Sequence, residues 1–259
     1  MTNSYPKIPA DAFDGAYSKV LRADKHINEL IALLKQINQT GTNKLIRGVQ
    51  PDGGETLQFS QLGPLGHTIP LIVGDAVHNL RAAFDHAWVQ LAIVAEPERA
   101  TVSGVKFAIF PFDETRKNLE ARIKGPVSKT FPEIERLIVE GIKPYGEAGG
   151  NRLLWAITKL DKIDKHNLII TVAHVSRVHH AVLRTGRTRI EMVGCTFSAK
   201  ETEFASRGAI ENEGEPQVTI EIAFPPDDLL GGEPVIPTLI SMSQATHKAL
   251  DLIIGEVCR

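Results

Sequence analysis

One fifteen-residue stretch, Gly74–Trp88, concentrates the residue types that perform acid–base, metal or nucleotide chemistry. Its polar positions hold Asp, His, Asn and one Arg, and none of the Lys, Glu or Gln residues that merely solvate a helix. At about 100° per residue, five of these side chains fall within about 120° on a helical wheel. They are Asp75, His78, Asn79, Asp85 and His86. This polar stripe predicts a functional site.

The stripe also carries apolar residues, because Ala82, Val89 and Ile93 lie along it. Such a mixture predicts partial burial, and buried ionisable groups need partners. Asp and His three or four residues apart can hydrogen-bond and fix the tautomer of the histidine. The same spacing can supply metal ligands inside a helical bundle. A third interpretation is a structural network in which these groups satisfy one another.

A second motif, Leu160–His166, carries a carboxylate on the apolar face of its own predicted helix. Asp164 lies about 20° from Ile157 on the wheel and should therefore point inward. Because an inward carboxylate requires a donor or a cation, we expect this helix to pack beside the first one. Asp164 should then face the polar stripe, and the best partners in the sequence are Arg81, His78 and His86.

Arg81 and His86, separated by four residues, resemble the signature of the HEPN superfamily of small helical-bundle proteins. The resemblance implies metal-independent RNA cleavage, with Arg81 holding phosphate and His86 handling the 2′-hydroxyl proton. Asn79 or Asp85 would play the auxiliary polar part. Such sites are usually completed by a second copy, so the resemblance also implies a homodimer.

A longer pattern is similar to a family of bacterial proteins with no assigned activity. It comprises the Gly-Asp-Ala-Val-His-Asn-Leu-Arg-Ala-Ala-Phe-Asp-His stretch, Phe-Ala-Ile-Phe-Pro-Phe, and Leu-Asp-Lys-Ile-Asp-Lys-His. This resemblance implies no reaction.

Three functions follow from these motifs. The leading hypothesis is a ribonuclease without a cofactor, in which Asn79 and Arg81 bind substrate. Its catalytic candidates are His86, Arg81, His78, Asp85 and Asp164. The first alternative is a hydrolase whose zinc or manganese ion is bound by Asp75, His78, His86 and Asp164. The second is a non-catalytic protein in which the network sets packing and a sheet binds a partner.

The elements that position these residues are predicted from apolar spacing, caps and breakers. The first motif lies on a helix over Thr68–Ala95, for which Thr68 is a plausible N-cap. Other helices are predicted over Asp11–Gln39, Glu114–Lys124, Pro132–Gly141, Asn151–Lys165 and Pro237–Val257. Strands are predicted over Lys44–Val49, Glu55–Gln61, Val105–Phe110, Leu168–Val175, Thr188–Cys195 and Gln217–Phe224.

The order of these elements predicts an α+β fold, a helical bundle with a small antiparallel sheet formed largely by the later chain. We expect one domain over residues 1–259. The bundle would comprise residues 11–167 and 237–257, with a β-rich insertion at 168–236 and a closing C-terminal helix.

Composition narrows the classes of function. The chain is 42% hydrophobic and 23% charged, with a net charge of −2, which argues against broad charge-driven binding of nucleic acid. No segment reaches the roughly 18 consecutive apolar residues of a membrane span, and the first ten residues lack the pattern of a signal peptide. Two cysteines, Cys195 and Cys258, predict free thiols. We therefore expect a cytoplasmic protein.

The densest basic run is Arg177, Arg184, Arg187 and Arg189, with two histidines between them. It is interpreted as an exposed strand edge or loop with solubilising charge. A local nucleic-acid patch is the alternative.

Overall fold

The computed structural model describes residues 6–39, 45–49, 53–59, 67–99, 108–167, 173–198, 203–206, 209–214, 217–225 and 229–258. This part of the chain contains seven α-helices and seven strands, and the strands pair antiparallel in two small sheets. The predicted α+β fold with a closing C-terminal helix is confirmed. None of the described helices is both long enough and apolar enough to span a bilayer.

The chain divides into two compact units. The helical unit comprises Met1–Asn28, Leu71–Ile170 and Pro237–Arg259, and the sheet unit comprises Glu29–Pro70 and Thr171–Ile236. The sheet unit thus takes in the early hairpin as well as the later strands. The single domain expected over the whole chain stays a prediction.

Helices α1 to α7 follow the predicted helical segments, with one addition. Their bounds are α1 Asp14–Gln39, α2 Thr68–Ala95, α3 Arg116–Ile123, α4 Pro126–Thr130, α5 Pro132–Arg136, α6 Arg152–Asn167 and α7 Val235–Val257. Both predicted ends of α2 are confirmed. A 3₁₀ turn over Ala10–Phe13 precedes α1, so α1 begins at Asp14, three residues after the predicted start at Asp11. The short helix α4 was not predicted, although Pro126 occupies its first turn.

The segment between α2 and α6 shows the largest differences from prediction. The single helix expected over Pro132–Gly141 is α5 followed by a π-helical turn over Leu137–Ile142. Lys143 ends that turn in the left-handed conformation, with φ 57°. Most of the strand expected over Val105–Phe110 lies outside the described residues, and 108–110 form no strand.

The two sheets lie in the sheet unit. Their strands are β1 Leu45–Val49, β2 Glu55–Phe59, β3 Ala173–Thr185, β4 Thr188–Ser198, β5 Glu203–Ser206, β6 Ile210–Asn212 and β7 Gln217–Ala223. The three-stranded sheet has the order β1-β2-β5. In the second sheet β3 is central, since it pairs with β4 on one side and with β6 and β7 on the other.

The basic run lies on β3 and β4 and in the turn between them, so the expected strand edge is wrong for the central strand β3. Three of its arginines are paired with glutamates: Arg177 Nη1 is 3.3 Å from Oε1 of Glu221 in β7, and Arg184 Nη2 is 2.5 Å from Oε1 of Glu213, which directly follows β6. Arg189 pairs with the same Glu213, at 3.2 Å. The opposite face carries a small apolar core that includes Val178, Ala181, Leu183, Met192 and Ile210. Cys195 and Cys258 are free thiols, as predicted.

Candidate functional site

Helix α2 carries the polar stripe and is fixed by its opposite, apolar face. Val77, Leu80, Phe84 and Leu91 are fully buried along that face. Such burial of apolar side chains at three- and four-residue intervals determines which face of the helix points into the core. The stripe is consequently displayed toward α1 and α6, with Asp75, His78 and His86 exposed and the other stripe residues at least partly buried.

The predicted packing of α6 beside α2 is confirmed at Gly74. A Cβ atom at position 74 would lie 2.5 Å from Asp164 Oδ1, so the carboxylate occupies the space that a side chain would otherwise fill. Asp164 therefore sits directly against the backbone of α2. Glycine is the one residue that allows this approach without a shift of either helix.

The hydrogen-bond partner of His78 is Asp161, which the sequence analysis did not single out. His78 Nδ1 lies 2.8 Å from Asp161 Oδ1, and Lys165 Nζ lies 2.6 Å from the other carboxylate oxygen. Asp161 is only 5% exposed, whereas the His78 side chain is 46% exposed. The sequence does contain the relevant pattern, because Asp161 precedes Asp164 by one helical turn and shares its side of α6.

Asp164 lies in a crowded acidic environment. Burial raises its pKa above the ordinary value, and the neighbouring carboxylates of Asp161 and Asp75 raise the pKa further. Electrostatic interactions with His78 and Lys165 oppose the shift. We name this arrangement of Asp75, His78, Asp161 and Asp164 the acid–imidazole cluster.

Arg81 is an expected partner of Asp164, but it pairs with Asp85 instead. Its Nη1 lies 2.6 Å from Asp85 Oδ1, one turn along the same helix. Its Nε donates to Thr158 Oγ1 at 3.3 Å, and its guanidinium carbon lies 4.7 Å from the ring centre of Phe112. Arg81 is 7% exposed. The i, i+4 spacing explains the difference, because Asp85 reaches the guanidinium without any tertiary contact.

Asp85 joins α2 to the segment that follows it in the chain. Its Oδ1 accepts the backbone N–H of Phe110 at 2.9 Å. The ring of Phe110 packs 4.8 Å from that of Phe84, and Phe112 lies 5.2 Å from Phe84. The Arg81–Asp85 pair therefore anchors an aromatic cluster.

His86 and Asn79 face α1. His86 Nδ1 would be 3.1 Å from a Cβ atom at Gly15, and Lys19 Nζ donates to Asn79 Oδ1 at 3.5 Å. Partial burial and the charge of Lys19 lower the pKa of His86, while Asp85 opposes the shift. Asn79 also donates to the backbone oxygen of Asp75 at 2.8 Å.

The predicted site residues are thus distributed over three places: the acid–imidazole cluster against α6, Arg81 and Asp85 against Phe110 and Phe112, and His86 with Asn79 against α1. Among the described residues, no three His, Cys, Asp or Glu side chains are arranged as metal ligands. The four ligands proposed for the metal-dependent alternative belong to two of these places, since His86 contacts α1 and Asp164 contacts Gly74.

Comparison of the chain with known protein families, characterised proteins and solved structures found no match. The two resemblances stated from the sequence stay predictions.

Proposed function

We propose that this protein is a metal-independent ribonuclease that cleaves RNA by general acid–base catalysis. The observation that carries the proposal is the hydrogen bond between exposed His78 and buried Asp161, at 2.8 Å. A carboxylate that accepts from Nδ1 fixes the ring orientation and the tautomer, and leaves Nε2 to accept a proton. Choice of RNA rests on the resemblance to HEPN proteins.

Asp164 supplies the second catalytic group in this proposal. The raised pKa of Asp164 favours a role as proton donor. In cleavage of RNA, His78 Nε2 would take the proton of the 2′-hydroxyl while that oxygen attacks phosphorus. Asp164, in its protonated form, would give its proton to the departing 5′-oxygen, and the His78 and Asp164 protons would be exchanged with solvent before the next cycle. The products are a 2′,3′-cyclic phosphate and a free 5′-hydroxyl, so no cofactor is consumed.

The roles that the HEPN resemblance implies for Arg81 and His86 compete with this assignment. Arg81 is buried and engaged by Asp85, Thr158 and Phe112, which favours a positioning role over phosphate binding. Within the described ranges of the chain, no carboxylate is hydrogen-bonded to His86 in the way that Asp161 is bonded to His78. The two assignments therefore differ in which histidine is essential.

The test is cleavage of a mixed single-stranded RNA in the presence of EDTA, with cyclic phosphate ends as the diagnostic product. His78→Gln should lower the rate at least about a hundredfold, the usual contribution of a general base. His247→Gln is the matched control, because it changes a histidine of similar exposure that lies 3.5 Å from Asp24. Its rate should be that of the unmodified protein.

Other outcomes of this assay contradict the proposal in different ways. Loss of cleavage in His86→Gln, with His78→Gln active, would support the HEPN-type pair instead. Cleavage that EDTA abolishes and zinc or manganese restores would support the metal-dependent alternative. Absence of cleavage under all conditions would support the non-catalytic alternative, which the internal engagement of Arg81 favours.

The proposal also covers assembly and location. Sedimentation of the purified protein tests the homodimer that the HEPN resemblance implies. The cytoplasm is the proposed location, because RNA occurs there and free thiols such as Cys195 and Cys258 stay reduced.

A further inference from the structure

An open cavity lies on the side of α6 that carries Trp155, Thr158, Lys159 and Lys162. It has a volume of about 170 Å³ and is also lined by residues 112–114 and by Arg122 of α3. We call it the Trp155 pocket. None of the four residues of the acid–imidazole cluster lines it.

The side chains that line the Trp155 pocket carry a net positive charge. Arg122 Nε lies 2.9 Å from Asp113 Oδ2, and Lys159 is paired with Glu114. The third cation, Lys162, is exposed and makes no ion pair within the described part of the chain. Two carboxylates therefore balance two of three cations, and the pocket keeps one uncompensated positive charge. It should attract an anion.

The pocket also offers an aromatic surface. Gly146 packs against the indole of Trp155 so closely that a Cβ atom there would overlap the ring. Lys159 Nζ lies 5.5 Å from the ring centre. An indole that is held in place and has a cation over its ring is suited to a planar ligand that carries a negative group.

The Arg81–Asp85 pair builds one wall of this pocket. Arg81 contacts both Phe112 and Thr158, which line the cavity, and Asp85 holds the backbone of Phe110 next to them. Arg81 is thus a positioning residue for the pocket. The positioning role gives the Arg81–Asp85 pair a function, although the proposed mechanism of RNA cleavage does not use it.

We propose that the Trp155 pocket binds a nucleotide, with its base on Trp155 and its phosphate at Lys162. The chemistry is shared by a free mononucleotide and by one unit of a single-stranded nucleic acid, whose phosphodiester carries the single negative charge that matches the pocket. Nucleotide binding is independent of the proposed RNA cleavage, because none of the residues of the Trp155 pocket is a catalytic group of that mechanism.

The experiment uses the fluorescence of Trp155. The chain has two tryptophans, so the full-length Trp88→Phe variant leaves Trp155 as the single reporter. We expect AMP or single-stranded oligoadenylate to quench it saturably, since stacking on adenine quenches indole emission. Adenosine and inorganic phosphate, which each supply half of the ligand, should bind at least about tenfold more weakly.

Comparison of the two nucleotide probes identifies the source of the ligand. Binding of the oligomer alone supports a strand, and equal binding of AMP supports a free nucleotide. The proposal is overturned if neither probe gives a saturable change. It is also overturned if phosphate or adenosine binds as tightly as AMP, because the site would then recognise only an anion or only a ring.

Variants separate the pocket from the rest of the surface. Lys162→Ala should weaken oligoadenylate binding about tenfold and lower the salt dependence by about one charge. Lys248→Ala, which removes an exposed lysine of α7, is the matched control and should change neither quantity. The His78→Gln variant should still bind AMP. Failure of the proposed RNA cleavage and failure of the proposed nucleotide binding are therefore distinguishable.

Discussion

The two units of this protein handle clustered charge in opposite ways. In the sheet unit, Arg184 and Arg189 share Glu213, and hydrogen bonds from Arg189 lower the pKa of that glutamate. In the helical unit, burial and two neighbouring carboxylates raise the pKa of Asp164. One cluster stabilises its ionised acid, whereas the other destabilises it.

The contrast separates charged groups that stabilise the fold from charged groups that are available for binding or catalysis. Complementary pairs across strands hold a sheet together and have little left to offer a substrate. The carboxyl of Asp164, crowded against Gly74 and two other acids, resists ionisation and is retained at a cost in stability. Perturbation of this kind is typical of sites that bind or react.

The largest expected difference between the units concerns their arginines. Arg81→Met removes one member of a largely buried pair and should lower the free energy of unfolding by about 3 kcal/mol. Arg184→Met removes an exposed partner of Glu213 and should change it little. Urea unfolding of both variants checks this. Equal effects would contradict the distinction between the two clusters.

Gly74→Ala should reduce stability next most strongly. Alanine would gain up to about 1 kcal/mol of helix propensity, but its Cβ would meet Asp164 and cost about 1–3 kcal/mol. In an Asp164→Ala background the clash disappears, and the same change should become stabilising. A double-mutant cycle of unfolding energies measures the coupling. Additive effects would show that the two positions do not touch.

Asp164→Asn and Glu213→Gln should have effects of opposite sign at pH 7. The folded pKa of Asp164 is raised from 3.8, so stability is lost as pH rises through the folded pKa. Asparagine avoids that loss and should raise Tm by about 1–3 °C at pH 7, but not near pH 3. The folded pKa of Glu213 is lowered from 4.5, so its stabilisation is present above pH 4.5. Glutamine should lower Tm there.

Calorimetric scans across this pH range give both curves. A decrease in Tm for Asp164→Asn at pH 7 would mean that the ionised carboxylate stabilises the fold. The acid–imidazole cluster would then be a structural network.

The smallest effect concerns His86, whose pKa is lowered chiefly by burial and secondly by Lys19. Lys19→Met should therefore raise this pKa, and Asp85→Asn should lower it further. The folded state disfavours the protonated ring, so stability is lost as pH falls below 6.5. Proton NMR titration of the imidazole measures the shifts. Unchanged values in both variants would mean that burial alone sets the pKa.

Sequence patterns predicted what depends on local chemistry and apolar spacing. The helix α2 begins at Thr68 and ends at Ala95, and a cap signal near Thr68 together with a continuous apolar face predicted both ends closely. The contact between α2 and α6 was predicted because an inward carboxylate at position 164 needs a polar neighbour. Its closest contact, the backbone at Gly74, was not predicted, since the wheel shows directions and not distances.

Patterns that depend on long-range pairing were missed. The strands β5 and β6 have four and three residues, too few to show alternation. Pairing of β2 with β5 joins segments about 150 residues apart, which no local pattern encodes. Asp161 was missed for a related reason, because its partner His78 lies on another helix. Which of two carboxylates one turn apart meets a given histidine depends on the rotation of both helices.

The close approach at Gly74 also constrains how this protein can diverge. A larger residue at position 74 would cost less stability after position 164 had lost its carboxylate, and regaining the acid would cost stability while that residue stays. Substitutions at the two sites are therefore favoured in one order. Descendants that had crossed this step would keep the helices and the pairing of His78 with Asp161, but would lose the carboxyl group whose pKa is raised.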